Sequence, residues 1–88
     1  MSIAEIRDTV FKILSEKYPN IIKESLEIKF YQSFKDRVDT FGRFQDDKGL
    51  YEFILSYEKN GKIRRFHINL IMPSKVRKDL EKKIYDKS

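Results

Sequence analysis

The apolar positions along the chain change period twice. Ile3, Ile6, Val10, Ile13 and Leu14, with Tyr18 one turn further, form one stripe at the 3.6-residue repeat of an amphipathic helix. Ser2 followed by Glu5 fits a capping box, Met1 is placed to staple onto Ile6, and Pro19 with Asn20 ends the helix. Leu26, Ile28 and Phe30 then alternate with Glu27, Lys29 and Tyr31, the period of a half-buried strand with the first set facing inward. From Ser74 the longer period returns: Ser74 is a good N-cap, and Val76, Leu80 and Ile84 form the apolar stripe of a second helix.

Between these segments, Asn60-Gly61 separates two alternating runs, the pattern of a hairpin closed by a type I′ turn. With those two as the loop, Tyr57 faces Arg64, Leu55 faces Phe66, Phe53 faces Ile68 and Tyr51 faces Leu70, a mostly apolar side. The other side pairs Ser56 with Arg65, Ile54 with His67 and Glu52 with Asn69, so both strands agree on which face is the core. A second hairpin at Asp46–Gly49 would set Gln45 opposite Leu50, Arg43 opposite Glu52 and Phe41 opposite Ile54. Gly42 and the clustered aspartates suit a loop equally well, so residues 38–44 read as either strand or loop. The expected fold is a single α+β domain over residues 1–88: a helix, a three- or four-stranded antiparallel sheet and a helix, both helices on one face.

At 88 residues the chain can bury about 60–65% of its unfolded surface, which leaves little room for a deep active site. It has no cysteine, so disulfides, thiolate metal sites and a Cys nucleophile are excluded. The N-terminal stretch carries acidic residues and no uninterrupted apolar run, unlike a signal peptide or a membrane span, and the expected location is cytoplasmic.

Charge changes the picture more than composition does. The net charge is +5, yet residues 1–61 carry ten basic and eleven acidic side chains, whereas residues 62–88 carry nine basic and three acidic ones. At 100° per residue Lys75, Lys78 and Lys82 share one face of the second helix, roughly opposite its apolar stripe. Such a row could follow a phosphate backbone, with Arg77, Lys83, Arg64 and Arg65 extending the field. A solvated helix also needs a polar face, and lysine suits one. The scarcity of compensating acid is what favours an anionic partner.

The element order and the basic opening Ser74-Lys75-Val76-Arg77-Lys78 resemble the second helix of double-stranded RNA-binding domains, a resemblance of about fifteen residues. It implies phosphate contacts by those lysines and arginines. The chain departs from that family in that its one histidine, His67, lies in a strand, and in that Pro73 precedes the basic helix where the family has a Gly-rich turn. A similar element order occurs in the Alu-RNA-binding subunits of the signal recognition particle.

Other constellations are weaker. Ser56, His67 and Glu52 share a flat sheet face without the pocket and oxyanion donors that a nucleophilic triad needs. Glu27-Ile28-Lys29 matches a short acid-x-Lys element of metal-dependent nucleases but lacks the preceding aspartate strand. Asp36, Asp39, Asp46 and Asp47 read as turn formers rather than a Mg²⁺ cage. Phe11, Phe30, Phe53, Phe66, Tyr51 and Tyr57 are assigned to the core, joined by Phe44 if the second hairpin forms. That leaves Phe41 and Tyr31 as candidates for stacking on bases. Phe41, Ile54, Ile63 and Ile71 would make the outer sheet face unusually apolar, as an interface would be. The expectation is a non-enzymatic module without cofactor or metal that binds nucleic acid through its phosphates. The alternative is a protein-interaction module, either a homodimer or a small inhibitor or adaptor such as viruses and mobile elements encode.

Overall fold

In the computed structural model, which describes residues 2–73, helix α1 spans Ile3–Lys17 and opens on the Ser2 cap, whose Oγ accepts the Glu5 N–H at 3.2 Å. The helix stops at Tyr18 because the following Pro19 disfavours helical geometry in the residue before it. Its buried side chains are Ile6, Val10, Ile13 and Leu14. Ile3, expected on the same stripe, is 46% exposed. A single 3-10 turn at Lys23–Ser25 leads into the sheet. The Met1 staple and the second helix lie outside the described residues.

Four strands follow in simple antiparallel order: β1 (Glu27–Ser33), β2 (Arg37–Asp46), β3 (Gly49–Glu58) and β4 (Ile63–Pro73). Residues 38–44 are therefore strand, and the second hairpin is real. Gln45 faces Leu50, Arg43 faces Glu52 and Phe41 faces Ile54, as the charge and apolar matches require. Asp46 closes the turn with Oδ1, which accepts the N–H groups of Lys48 and Gly49 at 2.8 and 3.2 Å. Gly49 (φ +155°) leaves no room for a side chain, since a Cβ there would collide with the Met72 carbonyl.

The α1-facing side of the sheet carries the core. Val38, Phe44, Phe53, Leu55 and Tyr57 are almost fully buried with Ile6, Val10 and Leu14. Tyr18, Phe44 and Tyr51 form a ring cluster with centroids 5.1–5.3 Å apart, in the range where aromatic pairs add to simple burial. Thr40, a polar member of this face, gives its hydroxyl proton to the Leu55 carbonyl at 2.8 Å.

Three bulges correct the strict alternation read from the sequence. Ile28 pairs with Gly42 but Phe30 pairs with Phe41, so Lys29 is an extra residue and the side chains beyond it change faces. Phe30, expected in the core, points outward and is 59% exposed. Tyr31, expected outside, sits opposite Thr40 on the α1 side of the sheet. At the other edge Ser56 pairs with Arg65 but Tyr57 pairs with Ile63, so Arg64 is extra, and Ile63 belongs to the inner face rather than the outer one. Ile71 is the third bulged residue, between the Leu50–Met72 and Tyr51–Leu70 pairs.

The Arg64 bulge follows from the turn. Asn60 does not take positive φ; Gly61 alone does (φ +96°). Glu58 N–H donates to Lys62 O at 2.7 Å and Gly61 N–H to Glu58 O at 2.8 Å. The loop thus has three residues, Lys59, Asn60 and Gly61, in the arrangement of a type I turn followed by a glycine bulge, not the two-residue type I′ turn expected. The longer loop shifts the register by one, and the extra residue at Arg64 restores it, so the pairs from Ser56–Arg65 to Tyr51–Leu70 stand as read from the sequence. No helix among the described residues is long and apolar enough to cross a membrane.

Candidate functional site on the outer sheet face

The sheet face away from α1 is organised in cross-strand rows, each shared by directly opposed residues. One row is Gln32, Asp39, Ser56 and Arg65; the next is Phe30, Phe41, Ile54 and His67; the third is Glu27, Arg43, Glu52 and Asn69. Successive rows are about 6.7 Å apart along the strands. They differ in character: basic around the first, apolar along the second, charge-balanced along the third, where Arg43 pairs with Glu52 at 3.6 Å.

The first row opens onto a basin of about 280 Å³ lined by Arg37, Asp39, Ser56, Arg64 and Arg65. Three strands supply it. Arg37, at the start of β2, lies over the Phe34 ring at 4.2 Å, and its Nε is 3.4 Å from Asp39 Oδ1. Ser56 forms the buried floor, 9% exposed. The bulge on β4 is what brings Arg64 here: unbroken alternation would turn it to the α1 side opposite Tyr57, whereas both Arg64 and Arg65 line the basin. Among the described residues neither has an ion-pair partner. Three guanidinium groups face one carboxylate, and Glu58, in register with Arg37, stands outside the lining. Guanidinium groups offer planar, multiple N–H donors to oxyanions and do not deprotonate. The basin is suited to a phosphate or a carboxylate.

Beside it, the second row is exposed apolar surface. Phe30 is 59% and Ile54 42% exposed, Phe41 is half-buried and His67 exposed. Neither phenylalanine ring packs on another ring among the described residues. Between Ile54 and His67, and reaching Glu52 and Asn69 of the third row, lies an open groove of about 250 Å³.

The sequence-derived candidates fall into four groups. Arg64 and Arg65 come together in the basin, and Phe41, Ile54 and His67 share the second row. Tyr31 and Ile63 leave the roles given to them, since both face the α1 side, while Ile71 is a bulge residue, 40% exposed. Lys75, Arg77, Lys78, Lys82 and Lys83 lie outside the described residues. Arg37, Ser56 and Phe30 are additions. Arg37 was within reach by extending the Asp46–Gly49 hairpin register to the Arg37–Glu58 pair, but Phe30 was not, since nothing in Ile28-Lys29-Phe30 marks a bulge.

The catalytic alternatives gain nothing from the geometry. Ser56, His67 and Glu52 occupy three different rows. Glu27 and Lys29 form an ion pair with each other at 3.0 Å. Asp46 is engaged in its turn, and among the described residues no group of three or more His, Asp or Glu side chains could hold a metal. No family model, no curated protein and no solved structure matches the chain.

Proposed function

We propose that the protein is a non-enzymatic module that binds nucleic acid through its phosphates, without strong sequence readout. The observation that carries this reading is the basin in which Arg37, Arg64 and Arg65 surround Ser56 with a single carboxylate among them. Guanidinium clusters of this kind bind phosphate oxygens, and releasing the counterions of a polyanion supplies the affinity.

Residues 74–88, expected as a helix, carry six further basic side chains against three acidic ones. A helix of fifteen residues is about 22 Å long, close to the length of β4 between Ile63 and Leu70 at about 3.3 Å per residue. The α1 side of β4 is where apolar surface is left over: Ile63 is 38% and Leu70 46% exposed, while Phe66 and Ile68 are only partly covered. A helix leaving Pro73 would cover it with Val76, Leu80 and Ile84, both helices then sharing one face, and would present Lys75, Lys78 and Lys82, with Arg77 and Lys83 beside them, as a second cationic surface on the side of the sheet opposite the basin.

The test is a fluorescence anisotropy titration of labelled DNA and RNA at several salt concentrations. Binding should weaken as salt rises with a log–log slope of about −0.7 to −0.9 per phosphate contacted. Arg64→Glu with Arg65→Glu should weaken binding at least tenfold and flatten that slope. Lys75→Glu with Lys78→Glu should do the same if the helix is part of the grip. Unchanged affinity in both double variants would remove the proposal.

The exposed second row favours one other reading, a protein-interaction module that covers Phe30, Phe41 and Ile54 in a homodimer or against a larger protein. Under that reading Ile54→Arg disrupts association, and the arginine variants do not.

A further inference from the structure

We infer that the outer sheet face takes single-stranded nucleic acid, with unpaired bases stacked on Phe30 and Phe41 and their phosphates in the arginine basin. The inference rests on the phosphate-binding reading and names the form of nucleic acid that fits it. The Lys29 bulge places Phe30 directly opposite Phe41, so two ring-bearing positions adjoin on neighbouring strands, about 4.8 Å apart. Phe30 is 59% exposed, and no other ring among the described residues occupies the face of either. A cross-strand phenylalanine pair adds to the stability of the sheet, and two left open to solvent in register also make a platform that every base, whatever its identity, can stack on.

Charge fixes the direction of the strand. On one side of the phenylalanine row lies the basin with its excess of guanidinium groups; on the other, Arg43 is paired with Glu52 and Glu27 with Lys29. A nucleotide whose base lies on Phe41 therefore directs its phosphate toward Arg37 and Arg65, one side-chain repeat away along the strands. A duplex cannot do this, because its bases are already stacked on one another and edge-on to the protein.

The experiment compares three fluorescent twelve-residue oligonucleotides at low salt: oligo(dT), an abasic strand with the same phosphates, and a duplex of the same length, with oligo(U) as a fourth probe. Stacking of a base on an aromatic side chain is worth several-fold to about a hundredfold in affinity. The inference requires oligo(dT) or oligo(U) to bind at least tenfold more tightly than the abasic strand. It also requires Phe30→Ala, an exposed position whose truncation leaves the core intact, to close most of that gap, with Phe41→Ala closing the rest. Equal binding of oligo(dT) and the abasic strand overturns stacking and leaves phosphate binding standing. Binding of none of the four probes overturns both. A concentration-dependent dimer in sedimentation that Phe30→Asp dissociates would show that a second copy covers this face, which also overturns the inference.

Discussion

Gly42 offers the sharpest test of the bulged sheet. It sits in the middle of β2 opposite Ile28, with ordinary extended backbone, so alanine is conformationally acceptable there. On propensity alone Gly42→Ala should stabilise the protein by about 0.5–1 kcal/mol, because it restricts the unfolded chain. Sterically it should do the opposite. A Cβ at this position would penetrate the Glu27 carbonyl and lie 3.0 Å from Phe53 Cζ. The intruding neighbour is main chain of the adjacent strand and cannot rotate aside; β1 would have to retreat by about 1 Å to restore an ordinary carbon–oxygen contact of about 3.3 Å. Overpacking of this kind costs about 1–3 kcal/mol, and displacing β1 weakens at least one ladder hydrogen bond worth about 1 kcal/mol. After the propensity gain the net loss is about 2 kcal/mol. In urea, with a slope of about 1 kcal/mol per molar for a chain of this size, the midpoint falls by about 2 M. A midpoint that stays in place or rises would mean that β1 does not approach β2 as described, and would withdraw the outward placement of Phe30 along with it.

Three further outcomes follow from particular groups. Asp46→Ala leaves the N–H groups of Lys48 and Gly49 without their acceptor and should lower stability by about 1–2 kcal/mol in the same urea assay, with Asp46→Asn recovering part of it. Tyr51 has its hydroxyl pKa raised by burial and then by the nearby Asp46 carboxylate. The unfolded chain therefore releases this proton first, so the contribution to stability is complete below about pH 10 and is lost as pH rises through 10 toward the folded value; Tyr51→Phe should make the decline between pH 9 and 11 shallower, by urea midpoints at each pH. Phe53→Ala, at a site 1% exposed under α1, should cost about 3–5 kcal/mol, enough to abolish the cooperative thermal transition seen by circular dichroism.

Much of this architecture was legible because two independent signals agreed wherever the reading held. The β3–β4 register was fixed by apolar matching on one face and polar matching on the other, and it survived even though the turn type was misread. The Asp46–Gly49 hairpin was suggested by Arg43 opposite Glu52 and Phe41 opposite Ile54, and opposed by Gly42, which looked like a weak point in a strand. Gly42 is there because the Glu27 main chain presses on it, a reason that exists only once β1 is in place. The bulges were not legible, since Lys29 and Arg64 have no property that sets them apart from an ordinary strand residue, and each rearranged the candidate site. One brought Phe30 to the platform and removed Tyr31; the other added Arg64 to the basin and removed Ile63.

The Lys29 bulge also bears on how such a surface can change over generations. A point substitution in β1 alters one side chain on one face. Removing the single codon for Lys29 would instead join Ile28 directly to Phe30 and turn the bulge into a regular ladder, with Phe30 still opposite Phe41 and Tyr31 still opposite Thr40, so that both faces keep their side chains. An edge strand is the one place where the sheet tolerates this, because only one neighbour must follow. Length variation at that codon therefore leaves the phenylalanine pair on the outer face, which is carried through a change in chain length that a strand paired on both sides would resist.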